Sequence, residues 1–202
     1  RNGLSRRRVI GTGSLLALGA WATPQLVSIP AAAAQSAPPT SSPFVAVGNT
    51  NNLAWRSSDS GDTWANATVP PTVGPFAVAT DGAGTWVAVG PASAWRSTDN
   101  GATWTGAAVP PTTTMNGVAT DGAGNWVAVG GFTAPRAFRS TDNGNSWTAA
   151  TTGPGNAVLQ DIATDGAGHW VAVSSPGTIA GLSNDNGDTW TPATTRPTNG
   201  QF

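Results

Sequence analysis

The sequence predicts an all-β fold, a β-propeller of four-stranded antiparallel blades, because two motifs alternate along the chain. The first is a polar octapeptide ending in tryptophan, here called the box: SSDSGDTW at 57–64, STDNGATW at 97–104, STDNGNSW at 140–147 and SNDNGDTW at 183–190. The second lies between boxes: VATDGAGTWVAVG at 78–90, VATDGAGNWVAVG at 118–130 and IATDGAGHWVAVS at 162–174. The box Asp recurs at spacings of 40, 43 and 43 residues, which is typical of propeller blades.

Each repeat predicts four short strands. In the third repeat GVAT is the first strand, the turn DGAG leads to a second strand, NWVAVG, and a loop leads to a third. The box then turns the chain into a fourth strand that starts at its Trp. Asn-Gly and Asp-Gly between apolar runs predict hairpins, because type I′ turns need positive φ at both central residues. The second strand is apolar on both faces, with Trp126 and Ala128 opposite Val127 and Val129, so we expect blades to cover it on both sides.

Two other β architectures fit the pattern less well. The repeats of a β-solenoid are usually shorter, and a two-sheet sandwich has no reason to repeat its sequence. The ten Trp residues at regular intervals favour a packed structure over the disorder that the Gly and Pro content alone would suggest.

The first 34 residues predict an export signal. Basic residues precede an apolar stretch from Val9 to about Ile29, and a run of small residues at 31–34 suits cleavage near Ala34. SRRRVI resembles a twin-arginine signal, in which Arg6 and Arg7, or Arg7 and Arg8, would be the pair. Glycines and a proline interrupt the apolar stretch, which disfavours an uncleaved membrane anchor. We therefore expect a secreted, periplasmic or cell-surface protein without a membrane segment after cleavage, and a linker at 35–43.

Charge and cysteine content exclude some partners. After the first eight residues the chain has five Arg against ten Asp, so it lacks the basic patch that nucleic acid requires. The absence of Cys excludes disulfides and thiolate metal sites. We expect no nucleic-acid partner and no cofactor.

The four boxes match the pattern S-x-D-x-G-x-T-W closely, and residues 44–202 therefore resemble the Asp-box, or BNR, repeat propellers. That group includes sialidases, xyloglucanase-type glycosidases, the sortilin receptor domain and photosystem assembly factors. The resemblance implies a propeller of Asp-box hairpins, with blade cores at about 44–68, 76–108, 116–150 and 160–194. It implies an activity only weakly.

We interpret the box as a structural device. A short carboxylate beside a tight turn can accept hydrogen bonds from the turn's N–H groups, Gly can adopt a positive φ, and Trp can fill the space between blades. Calcium binding is the alternative, but each box offers only one or two carboxylates. We therefore predict no metal site and structural roles for Asp59, Gly61, Trp64, Asp99, Gly101, Trp104, Asp142, Gly144, Trp147, Asp185, Gly187 and Trp190.

The topology predicts two different faces. The DGAG turns and the boxes, which are nearly identical between repeats, lie on one face. The connections from second to third strands and from blade to blade lie on the other face, and these segments differ between repeats. We call this second side the variable face, and we expect it to bind a glycan or an extracellular protein.

The enzyme hypothesis finds little support. The resemblance implies that a sialidase would use a Tyr nucleophile activated by Glu, an Asp and three arginines, but this chain has no Tyr, no Glu and no Arg-Ile-Pro or Arg-Leu-Pro start. Asp161 is the one acid outside the repeated turns, and one spare acid does not make a catalytic pair. We predict no catalytic residue. The alternative is the N-terminal part of a sialidase-like or other glycoside hydrolase whose catalytic residues lie outside this chain.

Three arginines share one repeat position. Arg56, Arg96 and Arg139 each lie three residues before a box Asp, where the fourth repeat has Leu182. They could line a pocket for an anionic ligand, but we favour a structural role, in which they either pair with an Asp of a neighbouring blade or lie along a rim with their side-chain stems packed. His169 replaces Thr or Asn beside a turn, and we expect it to be solvated.

The count of repeats leaves two alternatives for the ring. Residues 196–202 resemble the start of a further inner strand. That stretch either closes a four-bladed ring by pairing with FVAVG at 44–48, or it begins the next blade of a longer propeller. The first blade lacks an evident first strand, and we favour the longer ring.

Overall fold

The computed structural model describes residues 25–27, 42–48, 50, 53–131, 133, 136–174 and 180–194. This part of the chain contains sixteen β-strands in four sheets of four strands. It has no helix that is long and apolar enough to cross a membrane. The predicted all-β fold is confirmed, and each sheet is one blade of a propeller.

The strands follow chain order within every blade. Blade 1 holds β1 Gln25–Val27, β2 Phe44–Gly48, β3 Leu53–Ser57 and β4 Ala65–Asn66. Blade 2 holds β5 Ala77–Thr80, β6 Trp86–Gly90, β7 Ser93–Ser97 and β8 Thr105–Gly106. Blade 3 holds β9 Met115–Thr120, β10 Trp126–Gly130, β11 Ala137–Ser140 and β12 Thr148–Ala149. Blade 4 holds β13 Leu159–Thr164, β14 Trp170–Ser174, β15 Ala180–Ser183 and β16 Thr191–Pro192. All neighbouring strands within a blade are antiparallel.

Blade 1 differs from the sequence expectation. We predicted that it lacks a first strand, but Gln25–Val27 pairs with β2, Leu26 lying opposite Ala46. The pattern did not reveal this strand because QLV belongs to the segment that we interpret as an export signal. Both edges of β2 are therefore occupied, which disagrees with pairing of the terminal stretch to 44–48. The rest of the signal, most of the linker and the predicted strand start at 196–202 lie outside the described residues.

The core is divided between the blades. Because the second strand of a blade is apolar on both faces, its valines pack on the following blade and its Trp on the preceding one. Val127 and Val129 of β10, for instance, contact a cluster that contains Trp170 and Ala172 of β14. Equivalent clusters join blades 1 and 2 and blades 2 and 3. The prediction that β10 is covered on both sides is confirmed, since all five of its residues are buried.

One contact recurs at all three blade interfaces, and we call it the valine–glycine contact. The first valine of the second strand lies against the box Gly of the next blade. An added Cβ on these glycines would lie 2.5 to 2.6 Å from a valine Cγ2, which is closer than real Cβ atoms approach: Val45 with Gly101, Val87 with Gly144 and Val127 with Gly187. Only a residue without a side chain leaves room for the valine.

The backbone joins neighbouring blades as well. The connection after each fourth strand runs beside the box of the next blade, where Trp104 N donates to Val69 O at 2.9 Å and Thr68 N donates to Ala102 O at 2.7 Å. Val69 and Thr103 form a parallel β-bridge, and Val109 and Ser146 form its counterpart one blade later. Each box is thus held by its own turn and by the blade before it.

The two kinds of turn have different backbones. In the boxes both central residues have positive φ, such as 55° at Asn100 and 78° at Gly101, as the hairpin interpretation requires. In the DGAG turn of blade 2 the positive φ values fall on Gly82 and Gly84, not on the consecutive Asp-Gly pair. The Asp81 carboxylate accepts hydrogen bonds from Ala83 N and Thr85 N at 2.8 and 2.9 Å. A wider turn therefore replaces the predicted two-residue one.

Candidate functional site

The box turn is a closed hydrogen-bond network. In blade 2 the buried Ser97 hydroxyl donates to Asp99 Oδ1 at 2.7 Å and accepts from Gly101 N at 2.9 Å. Thr103 donates to Asp99 twice, from its N–H at 2.9 Å and from its hydroxyl at 2.6 Å. Trp104 Nε1 donates to Gly101 O at 3.1 Å, which fixes the ring against the turn. Every member of the network has its partner inside the same eight residues.

The other three boxes repeat this network. In each of them the Asp carboxylate accepts hydrogen bonds from the Ser hydroxyl two residues earlier and from the backbone N–H four residues later. The Trp indole donates to the carbonyl of the box Gly. The residues concerned are Asp59, Gly61 and Trp64 in blade 1, Asp142, Gly144 and Trp147 in blade 3, and Asp185, Gly187 and Trp190 in blade 4. The buried serines at the head of the boxes were not assigned a role from the sequence, although Ser is the first letter of the motif: Ser57, Ser97, Ser140 and Ser183.

Hydrogen bonding sets the ionisation of the box carboxyls. The hydroxyls of Ser57 and Thr63 lower the pKa of Asp59 from its ordinary value of 3.8 to about 2. Burial raises the pKa of Asp99, Asp142 and Asp185, but hydrogen bonds from the turn outweigh burial and hold each pKa below 3.8. The box Asp is thus stabilised as an anion that accepts hydrogen bonds.

The structure does not bring the three repeat arginines together. Arg56, Arg96 and Arg139 lie one to a blade, on β3, β7 and β11, next to the buried Ser that starts each box. Arg139 Nε lies 3.3 Å from Asp188 Oδ1 in blade 4 without hydrogen-bond geometry, and both side chains are 31% exposed. Asp188 is the sixth residue of its box. The sixth box residue of the following blade is Ala102 for Arg56 and Asn145 for Arg96, so neither arginine has an acid at that position. Arg139 therefore pairs across a blade interface, on the box side of the sheets.

A cavity of about 420 Å³ lies beside blade 3, between its β10–β11 connection and the connection that leads from β12 to blade 4. Thr151 of this lining donates to Asp188 of the blade 4 box, so the connection between blades begins beside a box, and not on the opposite face as we predicted. Arg136 and Ala137 contribute from the connection between β10 and β11, and the connection between β12 and β13 contributes the rest: Ala150, Thr151, Gly153, Gly155 and Asn156. Arg136 Nη1 donates to Gly131 O at 2.9 Å and to Ala157 O at 3.3 Å, so it ties the two connections together.

No sequence motif marks these residues individually. The available signals were length and charge: TAATTGPGNAVLQ is the longest connection between blades, and GFTAPRA is as long as SPGTIAG but contains a cation. A longer connection extends beyond the sheet edges and encloses space. Arg136 is the one cation that the described residues place on this face.

Two other polar residues lie apart from this cavity. His169 is exposed and its Nδ1 lies 2.7 Å from Asp165 Oδ2, next to the DGAG turn of blade 4. The N–H of Ala167 and then the His169 side chain lower the pKa of Asp165. Asp161 lies at a register shift of β13, where its Oδ1 accepts from Ile162 N at 2.8 Å. Within the described ranges no three His, Cys, Asp or Glu side chains are grouped as metal ligands.

Four-stranded blades that stack through their second strands define the β-propeller class, and the comparisons agree. No protein-family model matches the sequence, and no curated protein matches it. An ancestral GH74 enzyme superposes with a TM-score of 0.60 at 16% identity, over 76% of this chain and 23% of that one. A GH74 xyloglucanase from Xanthomonas campestris gives 0.60 at 19% identity, over 77% and 29%. YCF48 bound to D1 peptide gives 0.58 at 20% identity, over 88% and 58%.

This chain thus spans less than two thirds of the length of each of these proteins. At these identities the likeness shows the propeller fold alone. The four blades described above therefore align with only part of each of these longer proteins.

Replacing the box carboxylate should lower stability. Asp99→Ala removes the acceptor for Ser97 and Thr103, and we expect the free energy of unfolding to fall by about 1 to 3 kcal/mol. Urea unfolding followed by Trp fluorescence measures this change. The matched control is Asp62→Ala, which removes an exposed acid that is not the box carboxylate and should change stability by less than about 0.5 kcal/mol. Retained stability in Asp99→Ala together with loss of partner binding would contradict a structural role.

Acid should destabilise the fold through the box carboxyls. Their folded-state pKa values lie below the ordinary value of 3.8, so their contribution is present above pH 3.8 and is lost as the pH falls toward about 2. We expect the urea midpoint to stay level from about pH 7 to about pH 5 and to drop between about pH 4 and pH 2. In Asp59→Asn the drop should be shallower. If the urea midpoint of Asp59→Asn fell as steeply with pH as that of the wild type, other groups would control the acid transition.

Proposed function

We propose that this protein is a non-catalytic propeller scaffold that binds a partner through its variable face. The observation that carries the proposal is the cavity of about 420 Å³ beside blade 3, formed by two connections that differ from their counterparts in other blades. Ligand sites are concave and contain a few convergent polar groups. The box turns instead bond most of their polar groups to one another, and the cavity beside the blade 3 box is smaller, at about 120 Å³.

The lining of the cavity favours an extended segment of another protein over a glycan. Gly153 and Gly155 have no side chains, which lets a ligand approach their backbone N–H and C=O groups closely. Asn156 adds a hydrogen-bonding side chain, whereas the Thr151 hydroxyl already donates to Asp188 Oδ1 at 2.9 Å. Arg136 presents a guanidinium with five donors, of which the two bonds to carbonyls engage one nitrogen, and such a group pairs well with a carboxylate. A segment with an acidic side chain suits this combination.

Two wider proposals accompany the binding function. The match of four boxes to S-x-D-x-G-x-T-W supports membership of the Asp-box propellers, and SRRRVI before an apolar stretch supports export by a twin-arginine route. Cleavage near Ala34 would also remove β1 from blade 1. The inner edge of β2 would then be open in the mature chain, so the extent of β1 pairing depends on processing.

A glycoside hydrolase with catalytic residues outside this chain is the alternative. The neighbours named as GH74 enzymes share its fold, but identities of 16% and 19% transfer no activity. Hydrolysis of xyloglucan or sialosides by the product of the complete gene, but not by the 202-residue chain, would replace the scaffold proposal with this enzymatic one.

Removing the cavity's cation should weaken binding of the partner. A display library of extended peptides and a glycan array, both probed with the wild-type chain, identify the ligand class. For a peptide selected in this way we expect Arg136→Ala to weaken binding roughly tenfold or more, because a charge-assisted hydrogen bond is lost. Biolayer interferometry measures the dissociation constants, and circular dichroism shows whether the loops still fold.

Arg96→Ala is the matched control, since it removes the same charge from the box side of blade 2. It should bind the peptide like the wild type. Equal losses in both variants would indicate a general effect of charge and would contradict a site at the cavity. Ligands found only on the glycan array would keep the scaffold and overturn the preference for a peptide.

Lysine substitution should block export without changing the charge of the signal. We expect the triple variant Arg6→Lys, Arg7→Lys, Arg8→Lys to remain in the cell as the precursor, because the twin-arginine route reads paired arginines and not positive charge alone. Fractionation with mass spectrometry of the N-terminus locates the protein and its cleavage site. Arg1→Lys is the control and should be exported normally. Undiminished export of the triple variant would point to a different route.

A further inference from the structure

The smaller cavity, of about 120 Å³, lies on the same hairpin as the larger one. Four side chains line it: Arg139, Thr141, Ser146 and Thr148. Arg139 of β11 lies opposite Thr148 of β12, and two residues further along β12 the N–H of Ala150 donates to Ala137 O at 3.0 Å. Ala137 and Ala150 line the larger cavity. Because side chains two residues apart on a strand share a face, the two cavities are neighbours along one face of this hairpin.

A single carboxylate oxygen contacts the walls of both cavities. Asp188 Oδ1 accepts a hydrogen bond at 2.9 Å from the hydroxyl of Thr151, which lines the larger cavity. The same Oδ1 lies 3.3 Å from Nε of Arg139, which lines the smaller cavity. Arg139 Nε is buried and makes no hydrogen bond, although the side chain as a whole is 31% exposed. Asp188 therefore holds Arg139 by charge alone and leaves its guanidinium within reach of a ligand.

Two arginines mark the ends of this pair of cavities. Arg136 immediately precedes β11, and its C=O accepts from Gly130 N at 3.0 Å, so the strand ladder continues to it. Arg139 follows three residues later, and at about 3.3 Å per residue the two Cα atoms lie about 10 Å apart. The residues three before the arginines of blades 1 and 2 are Leu53 and Ser93. Among the described blades, only blade 3 carries both cations.

We propose that the partner is an extended segment with two acidic side chains three residues apart, one bound at Arg136 and the other at Arg139. Residues of an extended segment advance by about the same 3.3 Å as those of β11, so this spacing matches the two arginines. The second acid supplies the hydrogen bond that Asp188 does not make to Arg139. Asp188 competes with that acid and so lowers the affinity. This second contact rests on the proposed binding at Arg136, to which it adds the number and the spacing of the charges.

Selection from a phage-displayed library of random nonapeptides tests the spacing. The wild-type chain should enrich peptides with two Asp or Glu residues three positions apart, whereas Arg139→Gln should enrich peptides with one acid. Arg56→Gln is the matched control, since it removes the same charge at the same repeat position of blade 1, and it should select like the wild type. Circular dichroism checks that each variant folds.

The outcomes separate the second contact from the first. Enrichment of single acids or of another spacing by the wild type, or an unchanged preference in Arg139→Gln, would overturn the contact at Arg139 and leave binding at Arg136 intact. Selection of no peptide by the wild type would overturn both.

Asp188→Asn tests the competition. Asn keeps an oxygen that accepts from Thr151 but removes the charge beside Arg139. For the most enriched peptide with two acids, biolayer interferometry should show binding about threefold tighter than that of the wild type, because an opposing charge is gone. The same peptide with its second acid changed to the amide should bind both proteins equally. In the double variant Arg139→Gln, Asp188→Asn the gain should disappear.

Asp62→Asn is the matched control, because Asp62 is the sixth box residue of blade 1 as Asp188 is of blade 4. It should bind both peptides like the wild type. Weaker or unchanged binding of the two-acid peptide by Asp188→Asn, or equal tightening for both peptides, would contradict competition at Arg139.

Discussion

The packing of a valine on a box glycine is the interaction on which the rest of the structure depends. It requires a residue without a Cβ at a turn with positive φ, and the turn exists only because a serine hydroxyl and a carboxylate hold its N–H groups. The same contact sets the distance between blades and thereby buries the Trp of the next second strand. The same few residues therefore determine both the conformation of the turn and the packing of neighbouring blades, and they do so at each interface.

Repetition explains why so much of the fold was predictable. The motif spacing predicted four-stranded sheets, and the doubly apolar second strand predicted burial between blades, because β10 has no polar face to present to water. The DGAG turns were predicted less well, since a dipeptide pattern does not say whether Asp81 takes a positive φ or instead accepts bonds from Ala83 and Thr85. Strand β1 was missed because three residues outside the repeat carry no periodic signal.

The candidate site was harder to predict than the scaffold, for a physical reason. The topology predicted which face would vary, but a cavity depends on how two irregular connections meet. Here Arg136 joins the two connections through hydrogen bonds to the carbonyls of Gly131 and Ala157, and no sequence motif indicates these bonds. The repeated arginines were easier to see and less informative: Arg139 pairs with Asp188 of the next blade, and Ala102 and Asn145 stand where Arg56 and Arg96 would need such an acid.

Since every internal interface uses the same contact in the same register, each blade fits against any other blade of its kind. A gene that gains or loses one whole repeat would therefore still encode a protein with compatible surfaces, whereas a gain of half a repeat would leave a strand without its partner. The turns that interlock the blades are nearly identical because each must fit its neighbours. The connections between second and third strands carry no such requirement, so each repeat can change there independently. Growth by whole blades and specialisation by loops can thus proceed separately in this architecture.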